Sequence, residues 1–115
     1  MLSNNENGKE KGIHIDEKIL SELRHIFKKY PIQKVLLFGS RARGDFKKTS
    51  DVDLAVFSEN ISDREFNLIV DEINEIDTPL SFDVVHFEKL KKDSLKEKIL
   101  KDGVLIYERK DNRKI

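Results

Sequence analysis

Three aspartates and a glycine–serine pair are the residues of this 115-residue chain whose types and spacing suit chemistry. Residues 35–57 read VLLFGSRARGDFKKTSDVDLAVF, so an apolar run stops at Gly39-Ser40 and, ten residues on, Asp51-Val52-Asp53 opens a second one. Carboxylates two residues apart on a strand share a face, with their backbones roughly 7 Å apart. Such a pair repels unless a cation sits between its members, and Mg²⁺ takes hard oxygen ligands of this kind. Asp83 lies in a third strand-like run, Leu80-Ser-Phe-Asp-Val-Val-His-Phe87. If that strand neighbours the second, Asp51, Asp53 and Asp83 would hold two ions about 4 Å apart, the spacing that clamps attacking and leaving oxygens in phosphoryl transfer. Gly39 lets the backbone approach a phosphate, and the Ser40 hydroxyl with N–H groups at a helix start supplies anion donors. Arg41 and Arg43 are expected on phosphate oxygens. Gly39 is not followed by the GK[ST] of a Walker A loop, and Gly39 and Gly44 do not form GxGxxG.

The flanking residues predict the elements that position this set. Asp16 caps a first helix, with Ile15 and Leu20 as a hydrophobic staple and Ile19, Leu23, Ile26 and Phe27 at helical spacing. Tyr30-Pro31 ends that helix, and residues 32–38 are apolar enough for a central strand. Residues 51–57 form the second strand, with Val52, Leu54 and Val56 on one face and Asp51, Asp53, Ala55 and Phe57 on the other. Ser62-Asp-Arg-Glu65 is a capping box in front of a stripe of Phe66, Ile69, Val70, Ile73 and Ile76. After Thr78-Pro79, residues 80–87 make the third strand. Asp93-Ser94 is expected to cap a last helix with Leu95, Ile99 and Leu100 as its apolar face, Gly103 at its C′ position, and an edge strand over residues 104–107. The fold class is α/β (α+β): a small mixed sheet of about four strands with helices mainly on one face. Residues 1–12 are expected to be a disordered tail, residues 13–107 the single domain, and residues 108–115 a polar C-terminal tail.

The chain is 37% hydrophobic and 38% charged, with no net charge and no cysteine, which excludes disulfide and thiolate chemistry and suits the cytoplasm. No apolar stretch approaches the roughly 20 residues of a membrane span, and the first residues lack the core of a signal peptide. Charge is uneven: residues 28–48 carry seven Lys/Arg against one Asp (+6), residues 49–88 eleven Asp/Glu against one Arg (−10), and residues 89–115 ten basic against five acidic side chains (+5). A continuous basic stripe is missing, so direct nucleic-acid binding is not expected. A basic turn facing acidic strands suits a metal-bound polyphosphate, while lysines outside the motif read as solvated surface. His14, His25 and His86 lack metal-ligand spacing and read as packing or surface residues, as Tyr30 and Tyr107 read as core or boundary aromatics.

Gly39-Ser40, ten residues, then Asp51-x-Asp53 with Asp83 downstream resembles the nucleotidyltransferase superfamily of DNA polymerase β, and the GSRARG start on a short chain is similar to its minimal (MNT) branch. The resemblance covers residues 14–107. It implies Mg²⁺-dependent transfer of a nucleoside monophosphate from a nucleoside triphosphate, such as ATP, to a hydroxyl. By that likeness Asp51 and Asp53 bind both metals, Asp83 binds the catalytic one and helps deprotonate the acceptor, and Gly39 and Ser40 hold the terminal phosphates. The MNT branch pairs with HEPN-type toxins in toxin–antitoxin modules, some members adding AMP to a toxin tyrosine, so a HEPN partner is expected to supply the acceptor. Two alternatives stand beside this: an antitoxin that masks its toxin without catalysis, and an antibiotic-type transferase acting on small molecules.

Overall fold

In the computed structural model, which describes residues 11–110, the apolar runs become strands and the amphipathic runs become helices. The elements are α1 (Glu17–Phe27), β1 (Lys34–Phe38), α2 (Ser40–Arg43), β2 (Val52–Phe57), α3 (Asp63–Asn74), β3 (Phe82–His86), α4 (Asp93–Asp102) and β4 (Val104–Glu108), with a 3-10 turn at Phe87–Lys89. Of the tail expected at residues 1–12, positions 1–10 lie outside the described residues, and Gly12 donates its N–H to the Ala42 carbonyl at 2.9 Å. Positions 111–115 of the other expected tail also lie outside, while Glu108 closes β4 and the Arg109 N–H donates to the Gln33 carbonyl.

Local signals start the first two long helices. The Asp16 carboxylate accepts from the Lys18 N–H, and Ser62 and Glu65 close a complete capping box in front of α3. Two signals near α4 act differently from expectation. Lys92, not Asp93, is its N-cap and makes no side-chain cap bond, so Asp93 serves as an acidic group in the first turn. Gly103 follows the helix in an extended conformation instead of a left-handed one. A Cβ there would stand 2.5 Å from the Ile99 carbonyl oxygen and 2.8 Å from Leu36 Cδ1, so close packing requires the glycine.

The sheet order is β3-β2-β1-β4, with β1 antiparallel to β2 and β4 and β2 parallel to β3 through the α3 crossover. One face buries Val35, Leu37, Val52, Leu54 and Val56 beneath Leu23, Phe27, Ile69 and Ile73 of α1 and α3. The other face is partly covered: Ile99 of α4 packs with Leu36, Phe38, Ala55 and Phe57. At the β4 edge a register shift leaves Ile106 without a β1 partner, and Arg24 Nε donates to its carbonyl at 2.8 Å, which blunts the edge against strand addition. Among the described residues no helix is long and apolar enough to cross a membrane.

Candidate active site

The end of β1 and the start of β2 are one place in space, because Phe38 pairs with Asp53. Immediately after Phe38 the chain turns at Gly39, with φ 77° and ψ −159°, into the single helical turn of α2, which Gly44 closes at φ 96°. Backbone N–H groups of Ala42 and Arg43 both donate to the Gly39 carbonyl at 3.0 Å. Gly39 is required twice over. Its φ lies where a side chain is strained, and a Cβ would stand 2.2 Å from Asp53 Oδ2. The turn therefore lies directly against the carboxylate.

β3 brings the third acid. Asp83 is the register partner of Asp53 across the parallel β2–β3 ladder, and Asp51 lies one alternation earlier on the chain. Asp51 and Asp83 are exposed and Asp53 is partly buried; none of the three side chains makes a hydrogen bond or ion pair with a described residue. The Asp53 carboxyl is pushed up from 3.8 to about 6, first by burial and then by the negative charges of Asp83 and Asp51, against a smaller opposing pull from Arg43 and Lys98. Among the described residues no three His, Cys, Asp or Glu side chains converge into a ready-made metal cage. The donor set still fits Mg²⁺, which is commonly held by one or two carboxylates while substrate phosphates and water complete its shell.

The two arginines of the turn have separate fates. Arg41, expected on phosphate, is buried, and each nitrogen of its guanidinium donates to backbone carbonyls: Nε to Ser50 at 3.0 Å, Nη1 to His14 at 3.0 Å, and Nη2 to Lys48 at 3.1 Å and Lys47 at 3.4 Å. Phe46 lies against the same guanidinium, 4.9 Å from ring centroid to Cζ. Arg41 thus ties the loop between α2 and β2 into shape. Arg43 is half-buried, with Nε 3.3 Å from Asp45 and Nη1 3.8 Å from Asp102 of α4, and its charge reaches Asp53. The Ser40 hydroxyl makes no hydrogen bond with a described residue. Lys98, read from sequence as solvated surface, also acts on Asp53; only the docking of α4 reveals it.

The remaining candidates lie elsewhere. His86 is buried on the α3 side, stacked on Phe66, with Nε2 2.8 Å from the Ser58 carbonyl. Tyr30 OH and Lys29 Nζ both donate to the Glu72 carboxylate, which pushes the phenol up to about 12. A surface hollow of about 1030 Å³ includes Lys34, Phe57, Glu59 and Glu108 in its lining, at the opposite end of β1 and β2 from the carboxylates.

A family model described as Polymerase beta, Nucleotidyltransferase matches residues 21–112. The chain belongs to that family. A Methanocaldococcus jannaschii protein whose name designates it an inferred protein adenylyltransferase is 37% identical to this nucleotidyltransferase-family chain over 59 residues. The alignment spans 49% of this chain and 55% of that relative, about half of its length. Among solved structures, a toxin–antitoxin crystal structure with AMP-PNP contains a chain that superposes with TM-score 0.64 at 17% identity, over 78% of this chain and 73% of that one. A complex of tri-AMPylated Shewanella oneidensis HEPN toxin with MNT antitoxin gives TM-score 0.61 at 14% identity, over 83% and 74%. At these identities the likeness is one of fold, and the small mixed sheet with its helices is the fold of this family.

Proposed function

We propose that this nucleotidyltransferase-family chain transfers a nucleoside monophosphate, AMP from ATP, onto a tyrosine hydroxyl of a HEPN-type toxin, and so acts as a cytoplasmic antitoxin in complex with it. The observation that carries this reading is the juxtaposition of Asp53 with Asp83 in register and with the Gly39 turn in contact. The glycine turn and the acidic strand pair therefore share one end of the sheet, which supports a metal-bound nucleotide there. The relatives named for protein adenylylation and for toxin–antitoxin complexes support the choice of acceptor.

In this reading Asp51, Asp53 and Asp83 hold two Mg²⁺ ions, and Gly39 and Ser40 hold the terminal phosphates. The ions supply charge neutralisation and alignment of the attacking and leaving oxygens. The tyrosine oxygen forms its bond to the α-phosphorus as the bond to the β-phosphate oxygen breaks. Pyrophosphate leaves with that electron pair, and the phenolic proton passes to Asp83. β2 and β3 carry Asp53 and Asp83, and Asp51 immediately precedes β2, so the sheet orients the carboxylates for this reaction.

Co-expression with the HEPN-type product of a neighbouring gene tests this. The wild-type chain relieves the growth arrest, and the Asp51→Asn/Asp53→Asn variant, present at equal level and still bound to the toxin, does not. Full relief by that variant would show neutralisation by binding alone. Transfer to a small alcohol without any protein acceptor would point to a small-molecule transferase.

A further inference from the structure

Asp53 and α4 share a face of the sheet. Asp53 alternates onto the side of Ala55 and Phe57, and Ile99 of α4 packs on that side with Leu36, Phe38, Ala55 and Phe57. The C-terminal half of α4 also meets the turn, since Asp102 Oδ2 lies 3.8 Å from Arg43 Nη1. Lys98 precedes Asp102 by one helical turn, which puts both on the same side of α4. It is exposed, and its ammonium makes no hydrogen bond or ion pair with a described residue. Its charge nonetheless acts on the Asp53 carboxylate, as does that of Arg43. Lys98 therefore stands on the side of α4 that meets the turn, next to the residue that packs on the Asp53 face of the sheet.

That position has a chemical meaning. Three carboxylates offset most of the charge of two divalent ions, so a triphosphate entering the site needs protein cations of its own. Arg41 cannot supply one, because backbone carbonyls take up its guanidinium. Arg43 is shared with Asp45 and Asp102. Lys98 has a flexible four-carbon stem and an uncommitted ammonium. We propose that Lys98 is a substrate-binding residue that contacts the polyphosphate of the nucleoside triphosphate from α4, with Arg43 as the second cation and the Gly39–Ser40 turn as the other wall. This rests on the nucleotidyltransferase reading above, and it gives α4 a role beyond covering the sheet.

Calorimetric titration of the full chain near neutral pH tests it, with Mg·ATP and Mg·pyrophosphate as probes against wild type, Lys98→Ala and Lys98→Arg. Lys98→Ala weakens both probes about tenfold, equal to about 1.4 kcal/mol, and makes the salt dependence of Kd shallower. Lys98→Arg stays within about threefold of wild type, since the charge is kept. Both variants melt as wild type does, because the side chain is exposed. Wild-type affinity in Lys98→Ala overturns the role of Lys98 and leaves the nucleotidyltransferase reading standing. A wild-type chain that binds neither probe overturns both.

Discussion

Asp53→Asn is expected to stabilise the metal-free protein while removing its activity. The Asp53 side chain makes no hydrogen bond or ion pair with a described residue, so the isosteric amide loses no polar contact. Its carboxyl is raised from 3.8 to about 6 in the folded state, so the folded chain binds this proton more tightly than the unfolded chain. Below about pH 4 both states are protonated and there is no penalty. Between about pH 4 and 6 the unfolded state ionises first, and stability falls as pH rises. Above about pH 6 the full penalty is present. A shift of about 2 units sets a ceiling of about 3 kcal/mol. The side chain is only partly buried, and solvent screening reduces that to about 1 kcal/mol, or roughly 5 °C in melting temperature for a domain of this size. Urea unfolding of wild type and Asp53→Asn in EDTA, from about pH 4 to pH 8, measures it. The variant's advantage should grow through the acid range and level off near neutrality. An advantage that is flat with pH, or a wild type that gains on the variant as pH rises, would show that the Asp53 carboxylate carries no such penalty.

Metal and nucleotide should reverse that penalty. Mg²⁺ with ATP at about a hundred times its Kd should stabilise wild type by about 2.7 kcal/mol in thermal melts. EDTA should abolish the gain, and Asp51→Asn/Asp53→Asn should show none; an equal gain in the variant would place the nucleotide elsewhere. Gly39→Ala should cost about 1–2 kcal/mol for its positive φ and displace the Asp53 carboxylate. Mg·ATP binding should then be lost by calorimetry even well below the melting temperature, and wild-type affinity would contradict the close approach described here. Arg41→Ala and Arg41→Lys should each lower stability by about 2 kcal/mol in urea melts, because a lysine cannot serve three groups of carbonyls. Were Arg41 a phosphate ligand instead, stability would be unchanged and lysine would rescue binding.

Much of this architecture could be read from local pattern. The alternation in residues 51–57 puts Asp53 on the side of Ala55 and Phe57 and leaves Val52, Leu54 and Val56 for the main core, as the structure has it. The capping box at Ser62 starts α3, which ends at Asn74, ahead of the expected break at Thr78-Pro79, and its length still allows a parallel crossover that makes β3 the neighbour of β2. The register that sets Asp83 opposite Asp53 was open until the sheet was assembled, because one strand's pattern does not state its partner's offset. Charge in sequence also carries no direction. Arg41 and Arg43 stand two apart in the same turn, yet one faces inward onto carbonyls and the other faces α4. Gly103 does not form the left-handed cap that its place after α4 predicts; steric contact with Ile99 and Leu36 is what demands a glycine there. Lys98 could not be distinguished from the other lysines of residues 89–101 before α4 was docked, as nothing local sets it apart.

The intact mass of a HEPN-type partner, after incubation with this chain, Mg²⁺ and each nucleoside triphosphate in turn, tests whether the chain modifies its partner. A gain of one or more nucleoside monophosphates on the partner is expected, with ATP the preferred donor, and no gain with Asp51→Asn/Asp53→Asn. An unchanged mass in a tight complex with the wild-type chain would contradict that expectation.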